Sequence, residues 1–135
     1  MIHRISRMLA ACLALAGAAA GAHHSFAVHF AGEELVTVAG VVTDFRFRNP
    51  HGMLKLRVAD EDGAVTEWRA ETNSPNILRR RGWSPESIKP GDAVTLEGFP
   101  ARDGSNFMRI YRVIYENGRE LTGQRPAVGV ADGQD

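Results

Sequence analysis

The sequence predicts a mainly β protein: a small five-stranded OB-like barrel with one short helix between strands 3 and 4. Two observations predict this fold. The segments with β patterning come as three strands, a short helical segment and two more strands, which is the order of an OB-fold. The first strand is also long and changes its apolar phase at a glycine, as expected for a strand that coils within a curved sheet.

The first predicted strand covers residues 34–48, and Gly40 interrupts its apolar pattern. Val38 points to one face, whereas after the glycine the apolar phase moves to Val41. A phase change of this kind indicates a β-bulge or a sharp coil. The turn residues Asn49-Pro50-His51-Gly52 then end the strand.

Strands 2 and 3 form a predicted hairpin. Residues 53–59 alternate between apolar and charged side chains, and Asp62-Gly63 supplies the turn that leads into residues 65–72. The side chains predicted to face the core are Leu54, Leu56, Val58, Trp68 and Ala70.

A short helix is predicted to follow strand 3. Ser74-Pro75 is typical of a helix start, with a capping hydroxyl before a proline at the first helical position. Gly82 fits the stop at the other end. The remaining predicted strands are 93–99, 106–115 and a short final one at 119–122.

Residues 1–22 are typical of a secretory signal peptide. Arg4 and Arg7 precede an apolar run from Met8 to Ala20, and Ala20-Gly21-Ala22 fits the cleavage pattern. Cleavage after Ala20 and cleavage after Ala22 both remain open. Because the run is shorter than the about 20 residues that span a bilayer, we expect a periplasmic protein with no stable membrane anchor.

An alternative is a lipoprotein, because Leu9-Ala10-Ala11-Cys12 resembles a lipobox. A lipobox normally closes the apolar run, whereas Cys12 lies near its start. We therefore interpret Cys12 as one more apolar residue of the signal peptide.

The predicted mature chain is one domain with two appendages. A His-rich arm covers residues 23–33, the barrel covers 34–122, and a tail rich in Gly, Asp and Pro, expected to be disordered, covers 123–135. Loss of the signal peptide removes two arginines, so the net charge falls to about −2. This mild acidity disfavours nucleic-acid binding, which needs a basic face.

Several motifs occur together in this order: His23-His24-Ser25-Phe26, Asn49-Pro50-His51, Ser74-Pro75-Asn76, Arg80-Arg81-Gly82-Trp83, Lys89-Pro90-Gly91-Asp92 and Asp103-Gly104. In combination they resemble an uncharacterised family of small exported bacterial proteins, domain of unknown function 6152. The resemblance covers roughly residues 23–122. It implies an exported domain and assigns no catalytic residues.

The histidines carry the sharpest functional hypothesis. Imidazole nitrogen is a good ligand for copper and zinc, and three of the four histidines beyond the signal peptide crowd the start of the predicted mature chain. Cleavage after Ala22 makes His23 the N-terminal residue, whose amine and ring can chelate one Cu(II). Cleavage after Ala20 leaves Gly-Ala-His, which offers the tetragonal nitrogen set that Cu(II) prefers. The predicted metal residues are His23, His24, His29 and His51.

Two other interpretations remain open. The histidines can be structural, with the barrel face binding a protein or a small polar ligand of the periplasm through Arg46, Arg48 and Trp83. The other is a copper oxygenase with an N-terminal histidine brace. We predict no enzyme, because the G-x-S-x-G, H-E-x-x-H and P-loop motifs are absent and no cysteine follows the signal peptide.

Overall fold

The computed structural model describes residues 24–32 and 34–123. Its two short helices are α1 (His24–His29) and α2 (Pro75–Arg79). Its strands are β1 (Val36–Arg46), β2 (Met53–Ala59), β3 (Val65–Glu71), β4 (Ala93–Pro100), β5 (Phe107–Tyr115) and β6 (Glu120–Thr122).

The strands close into a five-stranded barrel. The order across the sheet is β3-β2-β1-β4-β5, with antiparallel neighbours, and a parallel pairing of β3 with β5 closes the ring. The short β6 pairs antiparallel with the second half of β5. The predicted architecture, a mainly β barrel with one short helix between strands 3 and 4, is therefore confirmed, and it agrees with an OB-like topology.

The barrel is filled by apolar side chains that alternate with outward-facing polar ones. Leu54 and Leu56 of β2 are fully buried as predicted, and so is Ala70 of β3. Val58 and Trp68 are partly buried against the same core. The largest fully buried core side chains also include Leu78, Ile88, Leu96, Met108, Ile110 and Val113.

The irregularity of β1 lies later than the sequence predicted. The register with β2 shifts between Val42 and Asp44 rather than at Gly40. The inward residue is consequently Val42, which is 2% exposed, while Val41 is 37% exposed, so the predicted move of the apolar phase to Val41 is wrong. Gly40 instead allows a close approach of strands, since a Cβ there would lie 2.5 Å from the carbonyl oxygen of Arg57.

The segment after β3 packs one end of the barrel. Pro75 begins α2, although the Ser74 side chain makes no capping hydrogen bond. Gly82 adopts a φ of +82° and ends the helical turn, after which Trp83 is buried. The indole nitrogen of Trp83 donates to the carbonyl oxygen of Thr122 at 2.9 Å, which ties this segment to β6.

The predicted N-terminal arm contains a helical turn that the sequence pattern did not show, since α1 lies within it. None of the helices in residues 24–32 and 34–123 is long and apolar enough to span a membrane. The predicted signal peptide lies outside the described residues, and so does the predicted tail beyond Gly123.

Candidate functional site

A row of outward-facing side chains crosses four neighbouring strands and continues onto β1. The row consists of Phe99, Arg109, Glu71, Met53 and Arg46, each the register partner of the next. The row faces outward because Leu54, Ala70 and Met108, the chain neighbours of its members, are fully buried inside the barrel.

Arg109 and Glu71 form a largely buried ion pair in the middle of this row. The Arg109 Nη1 atom donates to Glu71 Oε1 at 2.8 Å, and the side chains are only 9% and 16% exposed. Arg109 Nη2 also donates to Asn73 Oδ1 at 2.7 Å. Burial lowers the pKa of the Arg109 guanidinium, and the adjacent Glu71 carboxylate opposes this shift. The carboxylate charge of Glu71 is thus matched inside the protein.

His51 joins the same carboxylate from the loop before β2. Its Nδ1 atom contacts Glu71 Oε1, and the imidazole is 46% exposed. Since Glu71 faces outward, this contact places His51 on the outer face of the barrel as well. The Glu71 carboxylate therefore orients an imidazole that is about half exposed.

Gly52 lets the chain bring His51 to this position. The amide of Thr72 donates to the carbonyl oxygen of Gly52 at 2.9 Å, which extends the pairing of β2 with β3 beyond the strand ends. A Cβ at Gly52 would lie 2.5 Å from Thr72 Oγ1 and 3.1 Å from the carbonyl oxygen of Arg46. Only a residue without a side chain fits between these atoms without a shift.

Asn73 connects the ion pair to the end of β6. Its Nδ2 atom donates to the carbonyl oxygen of Gly123 at 3.0 Å, and Arg81 donates to the same oxygen. The carboxylate–arginine pair is therefore held by three elements: β3, β5 and the residue that follows β6. Such support gives the Glu71 side chain, and through it His51, a defined orientation.

Helix α1 is fixed to the barrel beside this cluster by aromatic rings. The rings of Phe26 and Phe99 meet edge to face with centroids 5.4 Å apart, and those of Phe30 and Phe107 lie 5.3 Å apart. Phe99 is level with Arg109 in the sheet, whereas Phe107 lies two residues nearer the β4–β5 loop. The N-terminal end of α1 consequently lies over β4 at the level of Arg109, and its other end lies over β5, nearer the β4–β5 loop.

The predicted metal residues that the structure describes, His24, His29 and His51, lie on two segments of the chain, α1 and the loop before β2. His23 lies outside the described residues, and His24 is the first residue of α1. His29 is exposed at the other end of α1, where its carbonyl oxygen accepts from the amide of Arg102 at 3.0 Å. Within residues 24–32 and 34–123, no three His, Cys, Asp or Glu side chains form a group that could hold a metal by themselves.

The predicted ligand residues do not share one surface. Arg46 faces outward and its Nε atom donates to Asp44 Oδ2 at 2.8 Å, and Arg48 is exposed on the following loop. Trp83 is 2% exposed and packs against Phe45, with ring centroids 6.2 Å apart, on the inner side of β1. Its indole is therefore a core group rather than a surface for stacking a ligand.

Sequence reasoning missed Glu71, Arg109 and Met53. Glu71 and Arg109 occupy ordinary outward positions of two alternating strands, which the pattern interprets as solvated charges. Only the parallel register of β3 with β5 brings them together. The available signal was an arginine placed between large apolar residues of strand 5, where an unpaired charge is costly to bury.

Residues 10–108 match a family of unknown function, DUF6152. The chain belongs to this family. The match includes His51, Gly52 and Glu71 but ends one residue before Arg109. No curated protein and no solved structure matches the chain. The activity of this DUF6152 protein therefore has to be argued from its own residues.

Proposed function

We propose that the protein is an exported periplasmic binding module without enzymatic activity, which binds copper through His23, His24 and His51. The observation that supports this most is the contact of His51 Nδ1 with Glu71. A metal-binding histidine almost always has its second ring nitrogen on a carboxylate, a carbonyl or water, which fixes the orientation of the ring. His51 has this arrangement and remains half exposed.

The position of α1 supports the contribution of the N-terminal histidines. Phe99 and Glu71 are two strand spacings apart, on the order of 10 Å. Phe26 lies on Phe99, and His24 is two residues before it. We propose that the residues before Phe26 extend across this distance to His51. His29 lies at the opposite end of α1, so we leave it out of the ligand set.

Competition for one equivalent of copper tests the proposal. The sample is the protein matured in its host, freed of metal by dialysis and titrated against a chromophoric chelator. We expect His51→Ala to weaken copper binding by at least about tenfold, because the ligand with the fixed orientation is lost. His23→Ala combined with His24→Ala should weaken it at least as much.

His29→Ala is the matched control, since it also removes an exposed histidine close to the N-terminus but at the far end of α1. It should leave the affinity unchanged. Equal affinity of the wild-type protein and the His51→Ala variant would refute the proposal. So would an affinity no higher than that of a free peptide with the same first residues.

A basic surface favours a second candidate function, a module that binds an acidic protein or a small anionic ligand. Arg48, Arg79 and Arg80 are exposed, and residues 72–85 contain no acidic side chain. The guanidinium of Arg79 lies 5.3 Å from the ring centroid of Phe47, which joins α2 to the β1–β2 loop. If this surface carries the function, Arg48→Ala and Arg80→Ala should abolish partner capture while His51→Ala leaves it intact.

A further inference from the structure

We infer that Met53 is a thioether ligand of this site and that the site therefore selects copper(I) over copper(II). This inference rests on the proposed function. Met53 lies directly opposite Glu71 in the antiparallel pairing of β2 and β3. Opposite side chains on one face of such a pair have Cβ atoms about 5 Å apart.

His51 belongs to the same small surface. It contacts the Glu71 carboxylate, and it precedes Met53 by two residues on the same outer side of the chain. Met53 is only partly buried, in contrast to the fully buried Leu54 that follows it. An imidazole and a thioether thus both lie beside Glu71, the first on the loop before β2 and the second on the first residue of β2.

The donor chemistry distinguishes the two oxidation states. Thioether sulfur is a soft ligand that favours Cu(I), whereas Cu(II) prefers nitrogen and oxygen donors in a tetragonal arrangement. The nearby carboxylate does not supply a net negative charge for a divalent ion, because Arg109 bonds Glu71 at 2.8 Å. The donors that the barrel contributes, an imidazole, a thioether and a charge-compensated carboxylate, suit a monovalent soft ion, and the His23 and His24 imidazoles of the proposed function are donors that copper accepts.

The protein has few sulfur atoms, so a separate substitution can remove each one. The methionines are Met1, Met8, Met53 and Met108, and the single cysteine is Cys12. Met108 is fully buried inside the barrel. In a chain that begins at Gly21 or His23, Met53 is consequently the one sulfur atom that can reach a metal at the outer face of the described barrel.

The experiment measures Cu(I) and Cu(II) affinities of the metal-free full mature protein with chelators specific for each state. It also records X-ray absorption at the copper edge for the Cu(I)-loaded form. We expect tighter binding of Cu(I), a sulfur neighbour of copper, and loss of that neighbour in Met53→Leu. The substitution should weaken Cu(I) binding by at least about tenfold and leave Cu(II) binding unchanged.

Met108→Leu is the matched control, because it removes the other sulfur and lies on the inner face next to Arg109. It should change neither affinity. Copper binding that depends on His51 but is unaffected by Met53→Leu would overturn this inference and leave the proposed function standing. Failure of the wild-type protein to bind either oxidation state above the peptide level would overturn both.

Discussion

Among single residues, Glu71 makes two contacts that differ in burial, one with a buried guanidinium and one with a half-exposed imidazole. It neutralises a guanidinium that is 9% exposed, and it orients an imidazole that is 46% exposed. Removing one partner of a buried ion pair leaves an uncompensated charge, which costs several kcal/mol, so the pairing with Arg109 is structurally required. Arg109 holds the same carboxylate in the position from which it contacts His51. Stability and the proposed copper binding therefore both involve this one side chain.

Tyr115 provides a residue-scale prediction about pH. Burial raises the pKa of the Tyr115 phenol, whose O–H group donates to the carbonyl oxygen of Ser87. A raised pKa means that the folded state favours the protonated phenol. This contribution to stability is fully present below the unfolded pKa of about 10 and is lost as pH rises through the higher folded value.

The test compares the wild-type protein with Tyr115→Phe by urea unfolding at neutral and at strongly alkaline pH. The variant should lose about 1 kcal/mol of unfolding free energy at neutral pH, because the carbonyl of Ser87 loses its donor. Above pH 10 the difference between the two proteins should shrink, since only the wild-type protein loses the phenol contribution. A constant difference across this pH range would contradict the assignment.

At the scale of elements, the sequence was informative where local pattern decides the structure. The alternation of β2 correctly predicted Leu54 and Leu56 inside the barrel, and Asp62-Gly63 correctly predicted the hairpin, with Gly63 at φ +81°. It failed for Val41, because the bulge lies after Val42 and its exact position depends on the pairing with the partner strand.

Long-range pairing explains the rest of what the sequence missed. His51 was predicted as a candidate ligand from its residue type alone, whereas its partner Glu71 is 20 residues away and Arg109 is on another strand. Their meeting follows from the parallel closure of β3 on β5. The alternation of side chains within β3 or β5 does not specify which residues of the two strands pair. The helical turn α1 likewise depends on aromatic rings that β4 and β5 contribute.

Gly52 gives a prediction at the junction of β2 and β3. Gly52→Ala places a methyl group 2.5 Å from Thr72 Oγ1, and Thr72 is fully buried, so the strands must separate locally. We expect a loss of about 1–3 kcal/mol in unfolding free energy, measured by chemical denaturation. Gly32→Ala is the control, because its Cβ would meet only Phe26 Cε1 at 3.4 Å. Equal losses in both variants would show that the close approach at Gly52 is not constraining.

In residues 24–32 and 34–123, apolar side chains form one cluster inside the barrel and a smaller one outside its wall. The larger fills the barrel and includes Leu96, which is fully buried. The smaller lies outside the barrel wall, where Phe26 and Phe30 of the N-terminal segment cover Phe99 and Phe107. Since the barrel closes through its own strands, the outer cluster holds the N-terminal segment in place without being needed for closure.

This division predicts that the outer cluster can be weakened without unfolding the barrel. Phe30 is 3% exposed, and its segment pairs with the chain at Ala101. In Phe30→Ala we expect the segment to detach, so that chymotrypsin cleaves at Phe26 while the near-ultraviolet circular dichroism of Trp68 and Trp83 is retained. Copper affinity should fall when the segment detaches, because the proposed N-terminal ligands are then no longer attached to the barrel.

Leu96→Ala is the contrasting variant, since it opens a cavity in the barrel itself. It should cost about 2–5 kcal/mol of unfolding free energy and produce no selective cleavage at Phe26, because the outer rings keep their contacts. If Phe30→Ala instead abolished the tryptophan signal together with the protection of Phe26, the two clusters would form one cooperative unit. The N-terminal segment would then be part of the fold rather than an attached binding arm.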